Sequence, residues 1–265
     1  MLVLIKGAGD LATGVAHRLH QCGFPVVMTE IPQPTTVRCT VAFSTAVYQG
    51  QATVEGVTAR RADTPAAIQA VLARREIPVA VDPGAKLVEL LSPTAVIDGV
   101  IAKRNLGTAI TDAPVVIALG PGFCAGEDCH AVVETKRGHY LGSVLYTGRA
   151  IPNTGVPGVI EGVGAERVIR ACGEGSWQPV VQIRQLVQAG ELVATVDGQP
   201  VRAAISGVVR GLLPQGTPVH RGMKAGDIDP RGIPAYCDTI SDKARAIAGG
   251  ALEALLHLLR ERGIV

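Results

Sequence analysis

Aromatic residues are scarce in this chain. Phe, Trp and Tyr make up 3% of its 265 residues against 47% hydrophobic residues, so a core must be packed from Val, Ile, Leu and Ala. A surplus of charge is missing too: 25 Lys and Arg face 23 Asp and Glu, and the basic residues form no run. That excludes an extended nucleic-acid surface and leaves room for a small anion pocket. No stretch approaches the roughly 20 apolar residues of a membrane span. The best candidate, near Val115 to Leu119, is cut by Asp112, Pro114 and Pro121. The apolar run after Met1 stops at Lys6, too short for a signal-peptide core. A soluble, cytoplasmic protein is expected. Its six cysteines are scattered and fit reduced thiols better than a disulfide framework.

Short β-branched strands and helix signals alternate through the first half. LVLIK reads as a strand, Asp10 to Cys22 as a helix, Gly23 as its stop, and PVVMTE (25–30) as a second strand. A helix starts at Asp63-Thr64-Pro65 and runs to about Arg75. IPVAVD (77–82), AVIDGVIA (95–102) and PVVIAL (114–119) continue the strands. This pattern predicts an α/β fold, a Rossmann-like parallel sheet over residues 1–150.

Beyond residue 130 the character changes. HAVVET (130–135) and YLGSVLYTG (140–148) suggest a hairpin, and residues 151–174 form a turn-rich connector. In 175–232, Val187-Gln188-Ala189-Gly190 is echoed by Val219-His220-Arg221-Gly222, and between them VATV and VRAA flank a turn at Asp197-Gly198. These features resemble the lipoyl/biotinyl barrel-sandwich, whose carriers hold a lysine at the hairpin tip. No lysine lies between Lys136 and Lys224, so this all-β module is expected to be a scaffold. A C-terminal helix spans 238–262, with Ala244, Ala248, Leu252, Leu255, Leu256 and Leu259 on one face. Gly249-Gly250 within it suggests a close helix–helix contact. The face is expected to pack on the α/β domain, with a homo-oligomer interface as the alternative.

Gly7-x-Gly9-x-x-Ala12 stands between a strand and a helix, as in dinucleotide-binding turns, and Glu30 ends the second strand where an acid would accept a ribose hydroxyl. Gly7, Gly9, Asp10, Ala12, Thr13 and Glu30 are therefore candidate ligand contacts. Asp10 complicates the pattern, because its carboxylate sits where a phosphate would bind. It caps the helix, meets the phosphate through a divalent cation, or faces a ligand that carries hydroxyls there. Gly120 and Gly122 of ALGPGF, and Lys103, Arg104 and Asn105 of IAKRN, follow other strands at the edge where an open parallel sheet binds ligands. Cys124, Asp128, Cys129 and His130 offer metal-ligand chemistry at a spacing unlike common zinc sites, and no metal is assigned. No nucleophile–base pattern is readable.

Taken together, GAGDLATGVAHRL, VVMTE, IAKRN, GPGF, HAVVETKRGH, PNTGVPG, GMKAGDIDPR and TISDKARAIAGG resemble the YqeB-type family of selenium-dependent molybdenum hydroxylase maturation proteins. The N-terminal part is distantly similar to the Rossmann domain of XdhC/CoxF maturation factors. The resemblance implies an accessory role in making or inserting the molybdenum cofactor, with a client molybdenum hydroxylase as partner. It implies a nucleotide- or molybdenum-cofactor-type ligand and supplies no catalytic residues. An NAD(P)-dependent oxidoreductase is the alternative function.

Overall fold

Each apolar run of the first half becomes a strand of one sheet. β1 (Val3–Lys6) leads into α1 (Asp10–Gln21) and β2 (Val26–Glu30). The short helix α2 (Ala46–Gln49) precedes a hairpin of β3 (Gln51–Val54) and β4 (Val57–Arg61). Then come α3 (Pro65–Ala73), β5 (Ile77–Val81), α4 (Leu87–Leu91), β6 (Ala95–Asp98) and β7 (Val115–Leu119). β8 (Cys124–Ala125), β9 (Ala131–Val133), β10 (Val144–Leu145) and β11 (Gly148–Arg149) close the series. The computed structural model describes residues 1–265. These elements and the C-terminal helix α5 (Asp242–Glu261) form a first unit, made of Met1–Pro34, Ala42–Thr154 and Ile240–Val265.

The large sheet has nine strands in the order β10-β9-β7-β6-β1-β2-β5-β4-β3. The seven from β9 to β4 are parallel, whereas β3 and β10 pair antiparallel at the two edges. The sheet is therefore mixed, not wholly parallel as expected. Strand order reverses at β1: on one side the chain passes from β2 to the edge hairpin β3–β4 and back inward to β5, then crosses to β6 on the other side. Leu4, Val27, Val96 and Val116 share one face by register. There Val27 meets Ile68 and Val71 of α3, while Val96 and Val116 pack with Phe123 and Val132.

The alternation of strand and helix fails between β6 and β7, where residues 99–114 hold no helix, and again between β7 and its parallel neighbour β9. Asn105 explains part of this. Its side-chain oxygen accepts the amides of Gly107 (2.9 Å) and Thr108 (2.8 Å), which turns the chain locally.

α5 starts at Ser241, whose hydroxyl accepts the Ala244 amide. It buries Ala244, Ile247, Ala248, Ala251, Ala254, Leu255, Leu258 and Leu259, but Leu256 is exposed, contrary to the expected face. A Cβ at Gly250 would run into the carbonyl oxygen of Gly142, so the close approach is helix to loop. The helix–helix contact lies elsewhere, at Gly14 of α1, where a Cβ would sit 2.9 Å from the Ala244 Cβ. No helix is long and apolar enough to cross a membrane.

The second unit comprises Thr35–Val41 and Gly155–Thr239. Its strands are β12 (Val168–Arg170), β13 (Gly175–Pro179), β14 (Leu186–Val187), β15 (Leu192–Val196), β16 (Gln199–Arg202), β17 (Gly207–Leu212), β18 (Pro218–Val219) and β19 (Lys224–Asp229). They make two antiparallel four-stranded sheets, β12-β19-β17-β14 and β16-β15-β13-β18. The Val187/Val219 echo extends through both sheets, since β12 to β15 recur in order as β16 to β19. The bonding repeats as well. Gly190 donates to Ala203 O (2.8 Å) as Gly222 donates to Ala171 O (2.9 Å). Ala203 donates to Glu191 O as Ala171 donates to Met223 O, both at 2.9 Å. Trp177, Val193, Val209, Ala225 and Ile228 are fully buried between the sheets.

Candidate functional site

The C-terminal ends of β1, β6 and β7 lie side by side in the first unit, and their loops meet. Gly7 follows β1 at φ 85°, and its amide donates to Thr29 O on β2 (2.9 Å). A Cβ there would lie 3.1 Å from Val100 Cα in the loop after β6. That loop continues to Lys103 and Arg104, both exposed. Gly122, at φ 112° after β7, presses on it so closely that a Cβ would lie 2.5 Å from the Arg104 amide nitrogen. Gly120 in turn packs on Thr135, just past β9. The three glycine- or cation-bearing stretches are thus brought to one edge. Ile101 (φ 59°) and Lys103 (φ 63°) adopt left-handed backbone conformations, uncommon outside glycine and most unusual for a β-branched residue.

Within the first turn the candidates divide. Gly9 is the N-cap of α1, with no side-chain cap bond, at φ −66°. That angle is open to any residue, so the backbone does not require glycine there. Asp10 is the first helical residue and not the cap, which corrects its expected position. As an acid in the first turn it still favours the helix dipole. Ala12 is buried, 2.9 Å from where a Gly99 Cβ would stand, and serves close packing of α1 on the end of β6. Thr13 is also buried. Its hydroxyl donates to Ala8 O (3.2 Å) and accepts the Phe43 amide (2.8 Å), so it braces the turn and does not face a ligand.

Glu30 reaches back to the turn. One carboxylate oxygen accepts the Ala8 amide (2.9 Å) and the other the Ile31 amide (2.8 Å). Burial pushes its pKa above the ordinary value, against the effect of those two bonds. The carboxylate ties the Gly7–Gly9 turn to the end of β2 and keeps lone pairs for a hydroxyl.

A polar network unread in the sequence underlies this edge. Lys6 Nζ donates to Thr108 Oγ1 (3.0 Å) and pairs with Asp112 (2.8 Å). Thr108 donates to buried Asp98 (2.6 Å), whose other oxygen accepts the Val100 amide (3.1 Å). Asn105, expected at a ligand, instead donates to Thr108 O (2.8 Å) and holds its own loop. Buried Glu134 accepts the amides of Lys136 and Ile151, both at 2.7 Å. The readable signal was a charged residue ending an otherwise apolar strand, as in VLIK and AVID.

Cys124 and Cys129 are buried, and burial pushes the Cys129 thiol up to about 12, with Asp128 and Cys124 adding to it. Asp128 accepts the Cys124 amide (2.7 Å), and His130 Nδ1 accepts the Val116 amide (2.9 Å). These side chains serve the local fold. No group of three or more His, Cys, Asp or Glu side chains able to hold a metal comes together.

Over 260 residues the chain is 53% identical to the uncharacterized protein YqeB of Escherichia coli (strain K12), covering 98% of this chain and 48% of that protein. It therefore spans about half the length of the curated relative it matches. No protein-family model matches. An aspartoacylase family protein from Mesorhizobium loti is similar over 86% of this chain and 84% of its own, at 10% identity and a TM-score of 0.27. For a succinylglutamate desuccinylase from Silicibacter the coverage is the same, at 12% identity and a TM-score of 0.26. Scores this low transfer neither fold nor chemistry. These findings correct the resemblance drawn from the sequence. The matched relative is itself uncharacterized, so the match names neither a selenium-dependent molybdenum hydroxylase maturation family nor a kinship with XdhC/CoxF factors for this chain.

Proposed function

We propose that the first unit binds a nucleotide- or phosphate-bearing ligand at this edge. In the wider form of the proposal, the chain is an accessory protein in maturation or insertion of the cofactor of selenium-dependent molybdenum hydroxylases. One observation carries the binding reading: the Gly7–Gly9 turn, the Lys103–Arg104 loop and the Gly120–Gly122 loop pack against each other where the strand order reverses. In open α/β sheets that is where ligands bind. Backbone amides at the start of α1 and two exposed cations supply donors for phosphate. Glu30 supplies an acceptor for a hydroxyl.

The same strand order, with β1 central and β2 and β6 flanking it, supports a Rossmann-like reading of this unit. The repeated four-strand halves support a barrel-sandwich reading of the second unit. Asp197 at its β15–β16 tip accepts the Ser176 amide (3.0 Å), which suits a scaffold and not a swinging arm.

Native mass spectrometry of freshly purified protein tests the reading. A retained molybdenum-bearing pyranopterin nucleotide would support the whole proposal, including a client hydroxylase. A retained NAD(P) would favour the oxidoreductase alternative. Failure to retain or bind any nucleotide or phosphorylated cofactor across a supplied panel would overturn the binding reading.

A further inference from the structure

The 32-residue repeat of the second unit, Val187 to Val219, lets one half serve as a control for the other. Asp197 in the first half corresponds to Asp229 in the second, Gln178 to Arg210, and Gln199 to Arg231. In the first half Gln178 turns on its neighbour, donating to Ser176 Oγ (3.2 Å). The second half replaces both glutamines by arginines, and both point at the same aspartate. Arg231 forks onto Asp229 through Nε (2.9 Å) and Nη2 (2.6 Å), and its backbone amide adds a third bond (3.1 Å). Arg210 Nη1 reaches the same carboxylate only at 3.3 Å. Asp197 is exposed and needs no charged partner, whereas Asp229 is fully buried, and Arg231 alone already supplies its cation and three donors.

Arg210 is the exceptional residue. The register of β17 against β19 slips between Val209 and Gly211, so Arg210 occupies a bulge, a device that re-aims a side chain. The residue is 5% exposed, and its Nε meets no acceptor in the protein. Asp229, fully buried, already takes three donors from Arg231. A guanidinium does not give up its proton, so a buried one with a single long, shared contact is undercompensated. Burial, and the Arg38 guanidinium beside it, pull Arg210 below its ordinary pKa against the opposite pull of Asp229 and Asp227. Arg38 comes from the 35–41 segment, whose Val37 carbonyl accepts the Leu212 amide (2.8 Å) on β17. The Arg231 side chain is 30% exposed and lies over the Tyr236 ring, 4.5 Å from its centroid.

We propose that Arg210, with Arg231 and Arg38 around it, forms a binding site for a compact oxyanion of the phosphate class in the second unit. The oxyanion accepts from Arg210 Nε and the adjoining Nη, the planar fork that suits such groups. This site is separate from the glycine-turn edge and does not depend on the reading given above.

Calorimetric titration of the whole chain with inorganic phosphate tests it, on wild type, R210Q and R210K. Phosphate should bind wild type and bind R210Q at least tenfold more weakly. R210K keeps a buried cation without the fork, so it should fold and still bind several-fold more weakly than wild type. Should R210Q not fold, the R210K comparison decides alone. The proposal is overturned by absence of phosphate binding in wild type, or by equal affinity in folded R210Q or R210K.

Discussion

At the scale of single residues, carboxylates decide what the candidate edge accepts. Asp10 at the first helical position opposes a phosphate on the same amides. Two unit charges about 4 Å apart interact by ~1 kcal/mol in water and ~4 kcal/mol near a protein surface. Asp10→Asn should therefore tighten binding of a phosphorylated ligand at least about fivefold, measured by calorimetry with chelator present. Weaker binding together with a lost Mg²⁺ dependence would instead assign Asp10 to a cation. Glu30 and Asp229 respond oppositely to pH. Burial raises Glu30, so ionising it costs the folded state. Its stabilising effect is complete below the ordinary 4.5 and is lost as pH rises through the raised value. Burial pushes Asp229 upward as well, but its bonds to Arg231 and the charges of Arg210 and Arg231 outweigh that and lower it from 3.8. Its contribution is complete above 3.8 and is lost as pH falls through the lowered value. Urea titrations across pH should show Glu30→Gln removing a decline on the neutral side of 4.5, and Asp229→Asn removing one on the acid side of 3.8. Glu30 was legible as a strand-end acid. Its bond to Ala8 was not, because it depends on the register of β1 against β2.

Among elements, α5 offers the sharpest contrast. A Cβ at Gly249 would meet nothing within 4 Å, whereas one at Gly250 would abut the Gly142 carbonyl. Gly249→Ala should stabilise the protein by about 1 kcal/mol, the usual helix gain. Gly250→Ala should destabilise it by roughly 2 kcal/mol or more through backbone displacement. Thermal melts separate the two, and similar effects would disprove the tight helix–loop contact. The glycine pair itself is visible in the sequence, but its neighbour is not, since only the tertiary fold places the 138–143 loop there. The main strands are legible because apolar runs end at glycine or a charge. The β3–β4 hairpin is absent from the sequence expectations, although its Glu55-Gly56 turn, both at positive φ, is a hairpin signal. The 99–114 crossover escapes a sequence reading because Asn105 turns the chain where a parallel pair usually has a helix.

For the whole molecule, the repeat in the second unit shows in the sequence as two V-x-x-G turns, while its extension through every strand emerges only from the paired backbone bonds. Trp177, the single tryptophan, is fully buried in that unit's core. Native emission should be blue-shifted and inaccessible to iodide, and its denaturant profile should report the second unit. Emission typical of solvent-exposed tryptophan in the folded protein would contradict this packing. The other unit holds the edge where the strand order reverses. Gly9 is not demanded by backbone conformation, and under the proposed function its smallness serves close ligand approach. Calorimetry with the nucleotide or cofactor that wild type binds best should show at least tenfold weaker binding by Gly9→Val, with unchanged circular dichroism. Equal affinity in the two proteins would contradict a ligand at the glycine turn.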